Sequence, residues 1–193
     1  MKKTFVLTVL FILPLVVYMF FASGVTNFGR LPILTENVGE LDAFSGEERL
    51  EGKISILGFL GTELASKKGN AFNLNQKIYK PFYEFKDFQV VMVVPQGQQQ
   101  AVSELTKELA SFTDTGNWRF VYGEPDQIKE LIASLKTDLF LDETLATPYV
   151  FIIDKERKLR GRQEDADEGT KFGFNTTSVA DLNNKMKDDV KII

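Results

Sequence analysis

Ile54-Ser55-Ile56-Leu57-Gly58-Phe59-Leu60 carries no charge and has only Ser55 and Gly58 to interrupt an apolar run. A run this short, with no polar face, suits a strand buried on both sides, the kind found inside a parallel sheet. Two more runs of the same kind follow. Phe88-Gln89-Val90-Val91-Met92-Val93-Val94 is closed by Pro95-Gln96-Gly97, and Tyr149-Val150-Phe151-Ile152-Ile153-Asp154 comes later. Amphipathic segments lie between them. Ala71 to Tyr83 places Leu74, Ile78 and Phe82 four apart, and residues so spaced share one helix face. Gln99 to Phe112 offers Val102, Leu105, Leu109 and Phe112 to a core, and Pro125 and Asp126 open a helix that turns Ile128, Leu131, Ile132 and Leu135 inward. Gly61 to Asn70 is polar and reads as irregular, while Trp118 to Tyr122 reads as a short strand.

Buried strands alternating with amphipathic helices imply parallel pairing and right-handed crossovers. Glu156-Arg157-Lys158 makes a tight turn into Leu159-Arg160-Gly161, so the last two strands should be antiparallel. The final helix starts after Ser178, with Asp181 in the capping-box position and Val179, Leu182, Met186, Val190 and Ile193 as its stripe. It keeps its apolar pattern to Ile193 with no capping glycine, which leaves open that it runs on. The predicted fold is therefore α/β, with a mixed central sheet flanked by helices over residues 32–193.

Upstream, Met1-Lys2-Lys3 precedes an uncharged apolar run from Thr4 to about Ala22. At about 1.5 Å per residue such a run just crosses a hydrocarbon core of about 30 Å. The lysines predict a cytoplasmic N-terminus, with the rest on the exported, periplasmic face of the inner membrane. Residues 1–24 are thus expected to be a transmembrane anchor or uncleaved signal, and 25–31 a tether. Ala22-Ser23-Gly24 would also suit a cleavage site, although the apolar core exceeds the roughly 7–15 residues usual for a signal peptide.

The 193 residues include neither cysteine nor histidine. That removes disulfide chemistry, thiolate and imidazole metal ligands, and any Ser-His-Asp triad. Setting aside Lys2 and Lys3 from the 23 Lys and Arg, against 27 Asp and Glu, leaves the rest at about −6. An acidic domain without a basic stretch argues against nucleic acid, and against anionic lipid beyond the anchor itself.

The element order, with Thr147-Pro148 immediately before the Tyr149 strand, resembles the thioredoxin fold. The resemblance implies that Pro148 is cis and that Thr147 and Pro148 border a peptide-binding loop. Within that superfamily the chain is similar to the SCO/SenC family, membrane-anchored proteins that bind copper or reduce thiols during cytochrome c oxidase assembly. The family's two cysteines, laid on Leu57-Gly58-Phe59-Leu60-Gly61, fall at Thr62 and Ser66. Its distal histidine falls at Glu143 within Asp142-Glu143-Thr144. The resemblance therefore implies a degenerate site. Two hydroxyls and one carboxylate suit neither copper(I), which takes soft sulfur ligands, nor copper(II), which favours imidazole.

The acidic run Glu164-Asp165-Ala166-Asp167-Glu168-Gly169 faintly echoes calcium-loop spacing at Asp165 and Asp167, without the full twelve-residue loop. A solvated loop, or an acidic docking surface for a basic partner, fits it as well. The expectation is a redox-inactive, non-enzymatic binding or assembly module without a cofactor, partnered by protein, with respiratory-complex components the candidates. The alternative is a copper carrier or thiol-partnered oxidoreductase that still uses the degenerate site.

Overall fold

The computed structural model describes residues 10–17, 19 and 31–193. Residues 10–17 are helical, with exposed apolar side chains such as Leu10 and Phe11. Among the described residues no helix is long and apolar enough to cross a membrane. The expected span from Thr4 to Ala22 and the tether up to residue 30 lie largely outside them.

The second unit, Leu31–Ile193, is built on one seven-stranded sheet. β1 (Ile33–Thr35), β2 (Ile54–Leu60), β3 (Phe88–Pro95), β4 (Trp118–Gly123), β5 (Ala146–Ile153) and β6 (Leu159–Arg160) lie in the order β1-β6-β5-β2-β3-β4. The pairs β2/β3 and β3/β4 are parallel, while β5 runs antiparallel to β2 and β6. A two-stranded ribbon, β7 (Arg162–Asp165) with β8 (Gly169–Lys171), follows, and β9 (Phe174–Asn175) then returns to pair with β5.

Alternation along the strands divides the core. Ile56, Val90, Met92, Val94, Val150 and Ile152 face one side. They meet α1 (starting at Leu64–Leu74), α2 (Gln99–Ala110) and α4 (Val179–Asp181 continuing to Lys187–Lys191). Leu57, Phe59, Val91, Val93, Phe151 and Ile153 face the other, against α3 (Pro125–Ser134) and the segment carrying Val38, Leu41, Phe44 and Leu50. Full burial of each such side chain is worth about 1.5–3 kcal/mol. Leu31, the first residue of this unit, belongs to the first of these clusters.

Several expectations change. Residues 64–70 are helical, because α1 begins at Leu64, which anchors its first turn in the core. The helix widens into a π turn at Asn75–Tyr79 before a last turn at Lys80–Phe82. The widening falls just ahead of Pro81, whose ring would press on the Lys77 carbonyl of a regular helix. It turns Asn75, Ile78 and Tyr79 inward together, where Asn75 Oδ1 accepts from the Trp118 indole (3.2 Å) and Tyr79 Oη accepts from the Asn117 amide (3.0 Å). Phe112 is exposed because α2 stops at Ala110, and its ring meets Phe72 edge-on. Val179 is exposed too, lying in the first turn after the cap. That cap forms as expected, with the Asp181 amide donating to Ser178 Oγ (3.2 Å).

Candidate functional site

Two loops meet at the C-terminal end of β2. Gly61 leaves the strand at φ 68°, and a side chain there would fall on the Thr144 carbonyl and on Ala146 Cβ. The close approach lets the Thr62 amide donate to the Thr144 carbonyl at 2.9 Å. On the facing loop, Asp142 Oδ1 accepts from the Thr144 amide (2.9 Å), the Thr144 hydroxyl (2.6 Å) and the Ala146 amide (3.0 Å). This carboxylate clasp holds Leu145 in the left-handed region at φ 64°, a conformation that costs a non-glycine residue about 1–2 kcal/mol. Asp142 Oδ2 accepts from Lys67 Nζ at 3.4 Å, which ties the loop to α1. The Thr144 hydroxyl foremost holds the Asp142 carboxyl below the usual carboxylate range; burial opposes it, and the Ala146 and Thr144 amides and Lys67 add to the lowering.

The structure thus brings the Thr62 loop and the Glu143 loop together. Thr62, Ser66 and Glu143 are all exposed. Ser66 turns its hydroxyl back to the Glu63 carbonyl (2.8 Å), so it is spent on the first turn of α1. The residues that join the loops are Lys67, Asp142 and Thr144. The Asp142-x-Thr144 spacing was their visible sign, since an aspartate commonly takes hydrogen bonds from groups two residues on. Behind the loops a cavity of about 10 Å³, bordered by Leu60, Lys67, Asn70, Thr147 and Thr176, has room for one water at most.

Pro148 corrects an expectation. No described peptide bond is cis, so Thr147–Pro148 is trans, the ordinary state of an X–Pro bond. β5 absorbs the local irregularity instead as a register shift opposite Gly58–Leu60. Nor does the strand edge beyond Pro148 lie open to a peptide. The Pro148 carbonyl accepts from the Thr176 amide (2.9 Å) and hydroxyl (2.6 Å), and β9 pairs with Tyr149 and Val150.

The acidic run is solvated as expected except at Asp165. Asp165 is buried, and Lys185 Nζ donates to Asp165 Oδ1 (2.6 Å) and Asp167 Oδ2 (2.7 Å). Those bonds hold the Lys185 ammonium above the ordinary lysine range. Burial alone would raise the Asp165 carboxyl, but the Lys185 and Asp167 N–H groups outweigh it and leave it lowered. Nearby, Arg162 grips the buried Asp189 through Nε (2.8 Å) and Nη2 (2.9 Å), and the wholly buried Lys171 reaches Glu168 (2.6 Å) and Asp181 (3.1 Å). The cluster bolts the β7/β8 ribbon to α4. Among the described residues no group of three or more acidic side chains could hold a metal ion.

A further surface adjoins the site. An open cavity of about 300 Å³ between α3 and the 137–145 loop is lined by Ile132, Leu139, Phe140 and Leu145, with Asp142 at its border. Phe140 is 80% exposed there.

No family model and no curated relative matches the chain. Solved structures do. BsSco, described as a member of the Sco family of cytochrome c oxidase assembly proteins with a disulfide switch, matches at TM-score 0.51 and 15% identity, over 83% of this chain and 92% of that one. A putative electron transfer protein from Aquifex aeolicus matches at TM-score 0.49 and 17% identity, over 83% and 93%. Copper-bound ScoI from Arabidopsis thaliana matches at TM-score 0.46 and 16% identity, over 76% and 92%. The domain has a mixed α/β thioredoxin-like fold.

Proposed function

We propose that this chain is a redox-inactive, Sco-like module, tethered by its N-terminal segment to the inner membrane with the domain on the exported side. It acts there as a binding partner in the assembly of a respiratory complex. The likeness to BsSco, a protein of an oxidase-assembly family, motivates that setting. The carrying observation is the pair of loops described above. They meet in the manner of a working site, yet what joins them is a backbone hydrogen bond and the Lys67–Asp142 ion pair, while Thr62, Ser66 and Glu143 are exposed and take no part in the joint. A chain without cysteine has no thiol to exchange. The role left to the domain is to hold a partner rather than to react with it.

The exposed Phe140 supports this, because a large aromatic ring left in water beside the two loops favours an apolar protein segment as its cover. Photo-crosslinking from position 140 in intact membranes tests the reading. Capture of a respiratory-assembly protein there, and not from the exposed Glu51 at the other end of the sheet, is the expected result. Equal capture from both positions, or none from either, would overturn it.

A further inference from the structure

The groove between α3 and the 137–145 loop has a shape and a charge pattern that match a second copy of itself. It encloses about 300 Å³. An apolar cavity of about half that volume accepts benzene, so a phenylalanine ring entering from outside has room. The walls are firm. Ile132, Leu139, Leu141 and Leu145 are partly buried and pack on the core of that side of the sheet, and the Asp142 clasp fixes the backbone at Leu145. Phe140 breaks the pattern. At 80% it is more exposed than any other large apolar side chain among the described residues. One protomer thus offers both a projecting ring and a hollow that admits one.

The charges on the two walls are opposite. Lys129 borders the groove on the helix side and Asp142 on the loop side. Asp142 is taken up by the clasp and by Lys67. Its neighbour Glu143 is exposed and forms no ion pair with a described residue. Lys129 meets only Asp126, at 4.0 Å, with both side chains well exposed, and such a pair holds its partners weakly. A two-fold axis running along the groove lays α3 of each protomer over the loop of its partner. Phe140 of one then enters against Ile132 and Ala133 of the other, and Lys129 of one faces Glu143 of the other. Each contact occurs twice, as an isologous interface requires.

We propose that this groove is closed by a second copy of the chain, in a homodimer whose protomers exchange Phe140. The proposal goes beyond the binding role argued above. It gives the groove an occupant when no assembly partner is present, and partner and second copy then compete for Phe140. The apolar centre is Ile132, Leu139, Phe140, Leu141 and Leu145. A patch of that size belongs with small, transient interfaces, so the dimer parts readily enough for a partner to replace one copy.

Sedimentation of the full-length chain in detergent tests this, at about 100 μM, where a dimer of micromolar affinity is populated. The parent should be dimeric and Phe140→Ser monomeric. Lys129→Glu alone and Glu143→Lys alone should each raise the dissociation constant about tenfold or more, because each sets like charges face to face twice across the axis. An equimolar mixture of those two variants should recover the parent's affinity, because every reversed charge then meets its opposite. A monomeric parent or a dimeric Phe140→Ser would overturn the proposal. So would single reversals that associate as tightly as the parent, or a mixture no tighter than either variant by itself. Misfolding does not imitate the pattern, since recovery needs both variants folded. No assembly partner is present in these samples, so the dimer and the partner proposed above fail or stand separately.

Discussion

Gly61→Ala tests the geometry that joins the two loops. Gly61 sits at φ 68°, and an added Cβ would meet the Thr144 carbonyl, Ala146 Cβ at 2.8 Å and Thr144 Oγ1 at 2.9 Å. Gly97 provides the control, because it sits at φ 87° with nothing within 4 Å of an added Cβ. Gly97→Ala should cost only the left-handed conformation, about 1 kcal/mol. Gly61→Ala should add loss of the Thr62–Thr144 hydrogen bond, about 1 kcal/mol. Displacement of the packed loop adds at least about 1 kcal/mol more, for a total near 3 kcal/mol. The one tryptophan, Trp118, is buried and hydrogen bonded to Asn75, so its fluorescence follows unfolding. With a urea slope of about 1–3 kcal/mol per molar, the Gly61→Ala midpoint should fall by about 1 M or more. Midpoints for the two variants that agree within about 0.5 kcal/mol would refute the claim that the loops are held by close backbone approach.

Other consequences concern charge and exposure. The folded-state carboxyl of Asp142 is depressed, so its contribution is present above the ordinary carboxylate range and is lost as pH falls through the lowered value. In acid titrations Asp142→Asn should flatten that part of the stability curve, and an unchanged acid limb would contradict the clasp. Arg162→Ala strands the buried Asp189, whose carboxyl burial already pushes upward against the pull of Arg162. The loss should be about 3 kcal/mol, partly recovered by adding Asp189→Asn, and a loss below about 1 kcal/mol would show that water reaches Asp189. Phe140→Ser should leave the urea midpoint within about 0.5 kcal/mol of the parent while lowering capture from neighbouring crosslink positions. Unchanged capture would place the partner elsewhere.

The architecture was legible where one local signal decided it. The three apolar runs became β2, β3 and β5 because an uncharged run has nowhere to go but between two layers. Ser178 and Asp181 marked a helix start that forms as read. What escaped was set by contacts distant in sequence. Lys67-Lys68-Gly69-Asn70 reads as a loop, yet Leu64 and Ala71 pin it into α1. The acidic run reads as solvated, yet Lys185, some twenty residues on, neutralises Asp165 well enough to bury it. At the site, the family resemblance pointed to the two loops but not to their fastening. That fastening is Asp142, Thr144 and Lys67, and the trans Pro148 has its carbonyl already engaged by Thr176. A resemblance carries positions forward, whereas hydrogen bonding depends on the side chains this chain has.

The central claim is that the fold persists here without its metal or thiol chemistry. Copper(I) titration of the full-length chain tests it most directly. The account predicts no stoichiometric binding, and no difference between the parent and Glu143→Ala. One equivalent bound with sub-micromolar affinity, and lost in Glu143→Ala, would contradict it.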